Sequence, residues 1–129
     1  MVEQEKKDLH RGDIWYANLE QGKVGSEQGG IRPVLIVQND IGNKYAPTTI
    51  IVPISTKEIK KMQPTHVRLR ANLPGSGIAR DSTLLFEQVR VIDKNRIQDK
   101  VGRLPSTMDS AIDHALEVSL GLTSPIKHR

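Results

Sequence analysis

The sequence lacks cysteine altogether and contains only four aromatic residues among its 129: Trp15, Tyr16, Tyr45 and Phe86. Without cysteine there is no disulfide, no thiol nucleophile and no cysteine metal site, and nothing favours an oxidising compartment. The scarcity of aromatic rings argues against a surface that stacks several nucleotide bases. Aliphatic side chains must therefore build nearly the whole core.

Membrane, metal and nucleotide signatures are also missing. No apolar run approaches the roughly 18 residues that a membrane span needs, and the charged opening MVEQEKKDLH is unlike a secretory signal, so we expect a cytoplasmic protein. The chain has no Gly-x-x-x-x-Gly-Lys-Ser/Thr phosphate loop and no His-x-His or His-Glu-x-x-His spacing. We expect no metal and no cofactor, because the four histidines are scattered: His10, His66, His114 and His128.

Charge is distributed unevenly along the chain. The 19 basic and 15 acidic residues give a net charge of +4, but residues 57–103 hold 11 basic and 5 acidic residues, and the remainder holds 8 and 10. The basic stretch would attract a phosphate-bearing partner, although an ordinary solvated surface has the same composition. Charge alone therefore does not decide the function.

The pattern of apolar residues predicts one domain over residues 11–122, between a flexible charged arm at 1–10 and a flexible tail at 123–129. Residues 39–43 carry turn chemistry, and a helix is predicted at 106–120, with Ser106 as N-cap and Gly121 at C′. The fold class is mainly β, either a small, partly open barrel or a strongly bent sheet, closed by the C-terminal helix. Strands are predicted at 14–19, 34–37, 48–54, 65–70 and 82–93. In the strand at 65–70, His66, Arg68 and Arg70 would share a solvent-exposed face. A bend could divide the segment at 82–93 into two strands.

One segment stands apart from the rest. The glycine-rich loop at 20–31 leads directly through Arg32 into an unbroken apolar run. An arginine there offers a rigid fork of donors suited to a phosphate, while the alternative is a salt bridge that anchors the loop, for example to Glu27. Ser55, which follows the apolar run ending at Ile54, is either a helper hydroxyl at the same end of the sheet or an ordinary turn serine.

Five segments resemble, in order and spacing, the MazF/PemK/Kid family of bacterial toxins, the endoribonuclease halves of toxin–antitoxin pairs. These are RGDIWYANL, VGSEQGGIRPVLIVQNDIGN, PTHV, RDSTLLFEQVRVIDKNRI and ALEVSLGL, and they extend over residues 11–122. The resemblance implies an SH3-like, partly open barrel of the MazF/CcdB type that forms a homodimer. It also implies a sequence-specific cut in single-stranded RNA, often mRNA, that needs no metal, leaves 2′,3′-cyclic phosphate and 5′-hydroxyl ends, and inhibits translation. A MazE-like antitoxin would neutralise the toxin, and its acidic tail could lie on the basic stretch.

The resemblance also implies roles for individual residues. Arg32 and Glu27 match active-site positions, and Ser55 stands where the family has a catalytic threonine, so that Thr56 could replace it. Because a guanidinium stays protonated and is a poor base, we expect Arg32 to clamp the phosphate, with proton donation as a further role. We expect Ser55 to donate a hydrogen bond to the transition state and keep Glu27 as the candidate base. RNA contacts are expected from Ser26, Gln28, Asn39, Thr56, Ser82, Glu87, Gln88 and Arg96.

Two alternatives to the ribonuclease remain open. One is a toxin of the same fold that traps DNA gyrase, but the Trp-Gly-Ile ending of that poison is absent here, while the GSEQGGIRP arginine is present. The other is a non-catalytic barrel that only binds RNA or an antitoxin. The sequence leaves the RNA sequence that is cut undetermined.

Overall fold

The structure is a computed structural model that describes residues 7–20 and 24–125. It contains seven strands, two α-helices and three short 3-10 turns. The turns are Phe86–Gln88, Lys94–Arg96 and Ser106–Met108. The strands are β1 (Asp13–Asn18), β2 (Ile31–Ile36), β3 (Thr48–Ser55), β4 (His66–Leu69), β5 (Ser82–Leu85), β6 (Arg90–Asp93) and β7 (Ile97–Arg103), and the helices are α1 (Asp40–Tyr45) and α2 (Asp109–Ser119).

All strand pairs are antiparallel, and the sheet is not closed. Its order is β4-β5-β3-β2-β1-β7, and β6 pairs with the first half of β3. The prediction of a mainly β, partly open fold with a C-terminal helix is confirmed. Residues 82–93 form two strands separated by the Phe86–Gln88 turn, so the expected bend is present.

The central strands β2 and β3 are buried on both faces over residues 34–36 and 51–55, as their unbroken apolar runs indicated. On one face Leu35, Val52 and Ile54 belong to a first core, which also includes Ile112 and Ala115 of α2. On the other face Val34, Ile36 and Ile51 belong to a second core. The residues of β3 therefore alternate between two separate apolar clusters.

Two predictions about local structure are wrong. Residues 40–45 form α1 rather than a turn, because the Asn39 side chain accepts a hydrogen bond from the Gly42 N–H (2.8 Å) and caps the helix. Strand β7 was not predicted at all. It lies at the edge of the sheet beside β1, and of its residues only Ile97 is buried, so it lacks an apolar alternation.

The C-terminal helix is shorter than predicted. Ser106 lies in a 3-10 turn and caps nothing with its side chain, and α2 begins at Asp109. The C-terminal end matches the prediction, because Gly121 has a φ of +73° and its N–H reaches the Val118 carbonyl (3.1 Å). The Leu122 N–H bonds the Glu117 carbonyl (2.8 Å), which completes a Schellman motif.

The boundaries of the arm and the tail stay a prediction, since residues 1–6 and 126–129 lie outside the described residues. Leu9, within the predicted arm, is only 3% exposed and belongs to the second core, so packing already begins before Arg11. None of the helices in the described ranges has the length and apolar character that crossing a membrane requires.

Candidate active site

The sheet register brings Arg32 and Ser55 to the same end of neighbouring strands. Val34 of β2 lies opposite Pro53 of β3, and this register continued by two residues sets Arg32 opposite Ser55. Residues directly opposite each other in an antiparallel pair share a face, with Cα atoms about 5 Å apart. The register therefore directs the two residues expected to carry the chemistry to the same end and the same face of β2 and β3.

Arg32 is half-buried and anchored to the loop that precedes it. Its Nε donates to the Gly29 carbonyl (2.8 Å). Within residues 7–20 and 24–125 no ion pair joins Arg32 to Glu27, whose Oε1 instead accepts from the Val24 N–H (2.7 Å). The salt-bridge alternative is therefore wrong: a backbone carbonyl anchors the Arg32 side chain at Nε, and the terminal nitrogens can still bind an anion.

The loop that carries Glu27 is closed at its base and tied at its middle. Gly30 has a φ of +73°, which favours glycine, and its carbonyl accepts from the Leu19 N–H (2.8 Å). The Gln28 N–H donates to Oε1 of Gln88 in the 3-10 turn after β5 (2.8 Å). Gln28 and Gln88, predicted separately as RNA contacts, are thus in direct contact, while Ser26 is exposed on the same loop.

Ser55 is buried, with 4% of its surface exposed, whereas Thr56 is exposed beyond the end of β3. The Ser55 hydroxyl accepts from the Lys57 N–H (3.2 Å), so it does shape the turn that follows the strand. A hydroxyl can also donate one hydrogen bond, and the described residues make no acceptor contact with that proton. Ser55 therefore supports the turn and keeps one hydroxyl proton that the described residues do not engage.

A second network holds the turn that contains Glu87 and Gln88. Glu87 accepts from the Thr65 hydroxyl at Oε1 (3.1 Å) and lies 3.1 Å from Nε2 of His66 at Oε2. Nδ1 of His66 accepts from the Gln63 N–H (3.0 Å), which leaves Nε2 as the donor to Glu87. The His66 side chain is only 8% exposed, so the prediction that it shares a solvent-facing surface is wrong.

The remaining predicted contacts lie at varied distances from Arg32. Arg96 directly precedes Ile97 of β7. Ile97 lies opposite Ala17 of β1, and Ala17 in turn lies opposite Arg32 of β2, so Arg96 is two strands from Arg32 at the same end of the sheet.

Ser82 is buried, donates to the Arg80 carbonyl (2.8 Å) and points to the first core. Asn39 follows the opposite end of β2, and the structure does not bring it to Arg32. Thr83, which no motif in the sequence singles out, is buried directly opposite Ser55.

The opposite end of β2 leads to Asp40, the first residue of α1, and to none of the main candidate residues. There the Arg11 N–H donates to Asp40 (2.7 Å), and this hydrogen bond lowers the pKa of the Asp40 carboxyl against the opposing effect of burial. A cavity of about 260 Å³ opens beside it, between Arg11, Arg103 and Ile112. In the part of the chain that the structure describes, no group of three or more His, Asp or Glu side chains could hold a metal ion.

The open antiparallel sheet and the arginine at the base of its glycine-rich loop define a class, the small toxins of type II toxin–antitoxin systems. The sequence pattern of the PemK-like, MazF-like toxins of these systems matches residues 10–120. The chain belongs to this PemK-like, MazF-like family.

Two relatives agree with this assignment, and a solved structure agrees with the fold. The chain is 48% identical over 114 residues to endoribonuclease EndoA of Bacillus subtilis, covering 88% of this chain and 96% of the relative. It is 41% identical over 121 residues to endoribonuclease MazF of Staphylococcus saprophyticus, covering 94% and 98%. The fold matches crystalline MazF from Deinococcus radiodurans with a TM-score of 0.73 at 23% identity, covering 89% of this chain and 98% of that one.

The contact between Gln28 and Gln88 yields a prediction about the loop. Replacing Gln88 by Ala removes the acceptor of the Gln28 N–H, at a cost of about 1 kcal/mol, so hydrogen exchange at the Gln28 amide should become about fivefold faster. Gln98→Ala, at an exposed position of β7, is the matched control and should leave that rate unchanged. Equal exchange rates in Gln88→Ala and in the unmutated protein would show that this hydrogen bond does not hold the loop.

Proposed function

We propose that the chain is a metal-independent endoribonuclease that cuts single-stranded RNA, chiefly mRNA, at a specific short sequence and so inhibits translation. The proposal is supported by the register of β2 and β3, which directs Arg32 and Ser55 to the same end of the two strands, next to a tethered loop, in a chain of this family. Two relatives at 48% and 41% identity are named endoribonucleases, which supports the same activity here.

The chemistry uses the RNA's own 2′-hydroxyl. Its oxygen bonds to the adjacent phosphorus, the bond from phosphorus to the 5′-oxygen breaks, one proton leaves the 2′-oxygen and one reaches the departing 5′-oxygen. Such a reaction needs in-line geometry, stabilisation of the charge on the phosphate oxygens and proton transfer. The products are a 2′,3′-cyclic phosphate and a 5′-hydroxyl.

Arg32 and Ser55 divide the stabilisation of charge between them. The terminal nitrogens of Arg32 bind the non-bridging oxygens, since Gly29 engages only its Nε, and the protonated guanidinium can also donate towards the departing oxygen. Ser55 donates its hydroxyl proton to an oxygen of the transition state. Glu27 is the candidate base, because the Val24 N–H contacts only its Oε1.

Recognition of the RNA sequence would depend on hydrogen bonding by the tethered loop and the turn after β5. Gln28 and Gln88 join the two segments, and Glu87 is held in one orientation by Thr65 and His66. Amide and carboxylate groups of this kind can read the edges of unstacked bases. Ser26, Thr56 and Arg96 flank the same end of the sheet, whereas Asn39 and Ser82 would need a contribution from a second copy or a moved segment to reach the RNA.

We further propose that the protein is a homodimer, acts on RNA in the cytoplasm and is neutralised by a MazE-like antitoxin. Solved relatives include a mycobacterial endoribonuclease with its cognate antitoxin and a MazE–MazF complex from Deinococcus radiodurans. Ile50 and Val91, opposite each other on β3 and β6, are 38% and 58% exposed, which supports an apolar contact between copies.

The products and the substrate hydroxyl test the activity directly. In the presence of a chelator, the protein should cut a long defined RNA at one recurring sequence and leave cyclic phosphate and 5′-hydroxyl ends. A 2′-deoxy nucleotide on the 5′ side of the cut bond should prevent cleavage there, because it removes the nucleophile. Cleavage at the deoxy-substituted bond would contradict the mechanism, and an RNA without new ends would favour the gyrase-binding or non-catalytic alternative.

The burial of Ser55 predicts that it, rather than Thr56, acts on the phosphate. Loss of a hydrogen bond to a charged group costs about 1.5–3 kcal/mol, so Ser55→Ala should lower the single-turnover cleavage rate about 10- to 100-fold. Thr56→Ala is the matched control and should remain within about threefold, and Ser55→Thr should keep most of the rate because it retains the hydroxyl. A loss confined to Thr56→Ala would move the role to Thr56.

A further inference from the structure

The row of residues that contains Arg32 and Ser55 continues to the edge of the sheet. Ser55 lies opposite Thr83 of β5, and Thr83 lies opposite Arg68 of β4. Arg68 is therefore three strands from Arg32, which is about 14 Å between Cα atoms if the sheet is flat and less if it curves. The register thus aligns a second arginine with the proposed active site.

The side chain of Arg68 lies on the same face of the sheet as the proposed catalytic residues. Its neighbours Val67 and Leu69 pack on or belong to the first core, so alternation directs Arg68 to the other face. Directly opposite residues share a face, which gives Arg68, Thr83, Ser55 and Arg32 the same orientation. Of these four, only Arg68 is classed as exposed.

The guanidinium of Arg68 is available to a ligand, whereas two arginines at the opposite end of the sheet are already engaged by carboxylates. Arg11 and Arg103 form ion pairs with Asp113 and Asp13, both at 2.8 Å. For Arg68, by contrast, none of the carboxylates in the described ranges lies within ion-pair distance. Among the strands of the described residues, β4 pairs with β5 alone, so Arg68 stands at an open edge of this sheet.

We propose that Arg68 binds a backbone phosphate of the RNA, outside the scissile phosphate held by Arg32. The inference rests on the proposed function and extends it to a second phosphate site. Ser55 and Thr83 are 4% and 3% exposed, so the row is open to solvent at its edge rather than along its length. An RNA strand bound at Arg32 can extend to that edge, where Arg68 supplies a charge without competing for the reacting atoms. Such a contact carries affinity and position rather than sequence information.

An acidic peptide could also be attracted by an unpaired arginine. The alignment favours RNA, because Arg68 is in register with the two residues that would act on a phosphate rather than with an apolar groove that would take peptide side chains. If Arg68 binds an RNA phosphate, replacing Arg68 should also reduce the salt dependence of RNA binding, and replacing a lysine elsewhere on the surface should not.

The test measures equilibrium binding of an RNA that contains the mapped cleavage sequence, with a 2′-deoxy nucleotide at the scissile position, over a range of salt concentrations. Arg68→Gln should weaken binding several-fold and reduce the slope of log K against log salt by about 0.7, the value for one phosphate contact on a single strand. Arg68→Lys should restore most of the slope. The single-turnover cleavage rate of the all-ribose RNA at saturating protein should not change.

Lys44→Gln is the matched control, since it removes one positive charge from α1. This helix precedes Thr48, the first residue of β3, and Thr48 is about 23 Å along the strand from Ser55. The substitution should leave the salt slope unchanged. A second measurement locates the contact. One neutral methylphosphonate linkage is moved one position at a time away from the scissile bond, and at one position it should abolish the difference between Arg68→Gln and the unmutated protein.

Several results would overturn the proposal. One is an unchanged salt slope of RNA binding in Arg68→Gln, and another is an equal reduction of that slope in Lys44→Gln. A third is that no methylphosphonate position removes the difference between Arg68→Gln and the unmutated protein. A fourth is that Arg68→Gln weakens binding of a Glu- and Asp-rich peptide, measured in parallel, but not of the RNA. Failure of the proposed function is distinguishable, because the unmutated protein would then produce no cyclic phosphate ends.

Discussion

The antiparallel pairing of β2 with β3 is the constraint on which the site depends. Val34 pairs with Pro53, and the same register directs Arg32 and Ser55 to the same end of the two strands although 22 residues separate them in the chain. The apolar runs 34–36 and 51–54 are buried on both faces, and a slip of one residue would exchange the members of the two cores. The packing that stabilises the sheet therefore also determines which side chains lie at this end.

Hydrogen bonds hold the glycine-rich loop and the turn after β5 next to this pair. Gly29 holds Arg32, Gln88 holds the loop at Gln28, and His66 and Thr65 hold Glu87 next to Gln88. The loop, the turn after β5 and strand β4 are consequently connected. Because the proposed reaction uses the RNA's own hydroxyl as nucleophile, the protein supplies position, charge stabilisation and proton transfer but no nucleophile of its own.

Much of the fold could be predicted from the sequence, because β2 and β3 are continuous apolar runs and residues 109–119 have a helical period. The edge strand β7 could not, since a strand with mostly exposed residues has no distinctive pattern. Helix α1 was mistaken for a turn because Asn39 and Gly42 suit both, and only the cap contact distinguishes them.

The candidate site, like the fold, could be predicted only in part from the sequence. Arg32 and Ser55 could be found because each adjoins a recognisable apolar run and matches a family position. Thr83 and the alignment of Arg68 could not, because they depend on the pairing of β4 and β5 with β3, a long-range register that the sequence does not express. The Arg32–Glu27 salt bridge was excluded only by the loop conformation, in which Glu27 bonds to Val24.

The most direct test of the account is the cleavage rate of Arg32→Ala, compared with Arg32→Lys, at the mapped RNA sequence under single-turnover conditions. Because Arg32 is assigned the charge on the phosphate oxygens, the rate of Arg32→Ala should fall at least about 100-fold, with an unchanged urea midpoint of unfolding. Arg32→Lys should recover only part of the loss, since an ammonium lacks the planar fork. A folded Arg32→Ala protein that cuts within a few fold of the unmutated rate would contradict the assignment of the site.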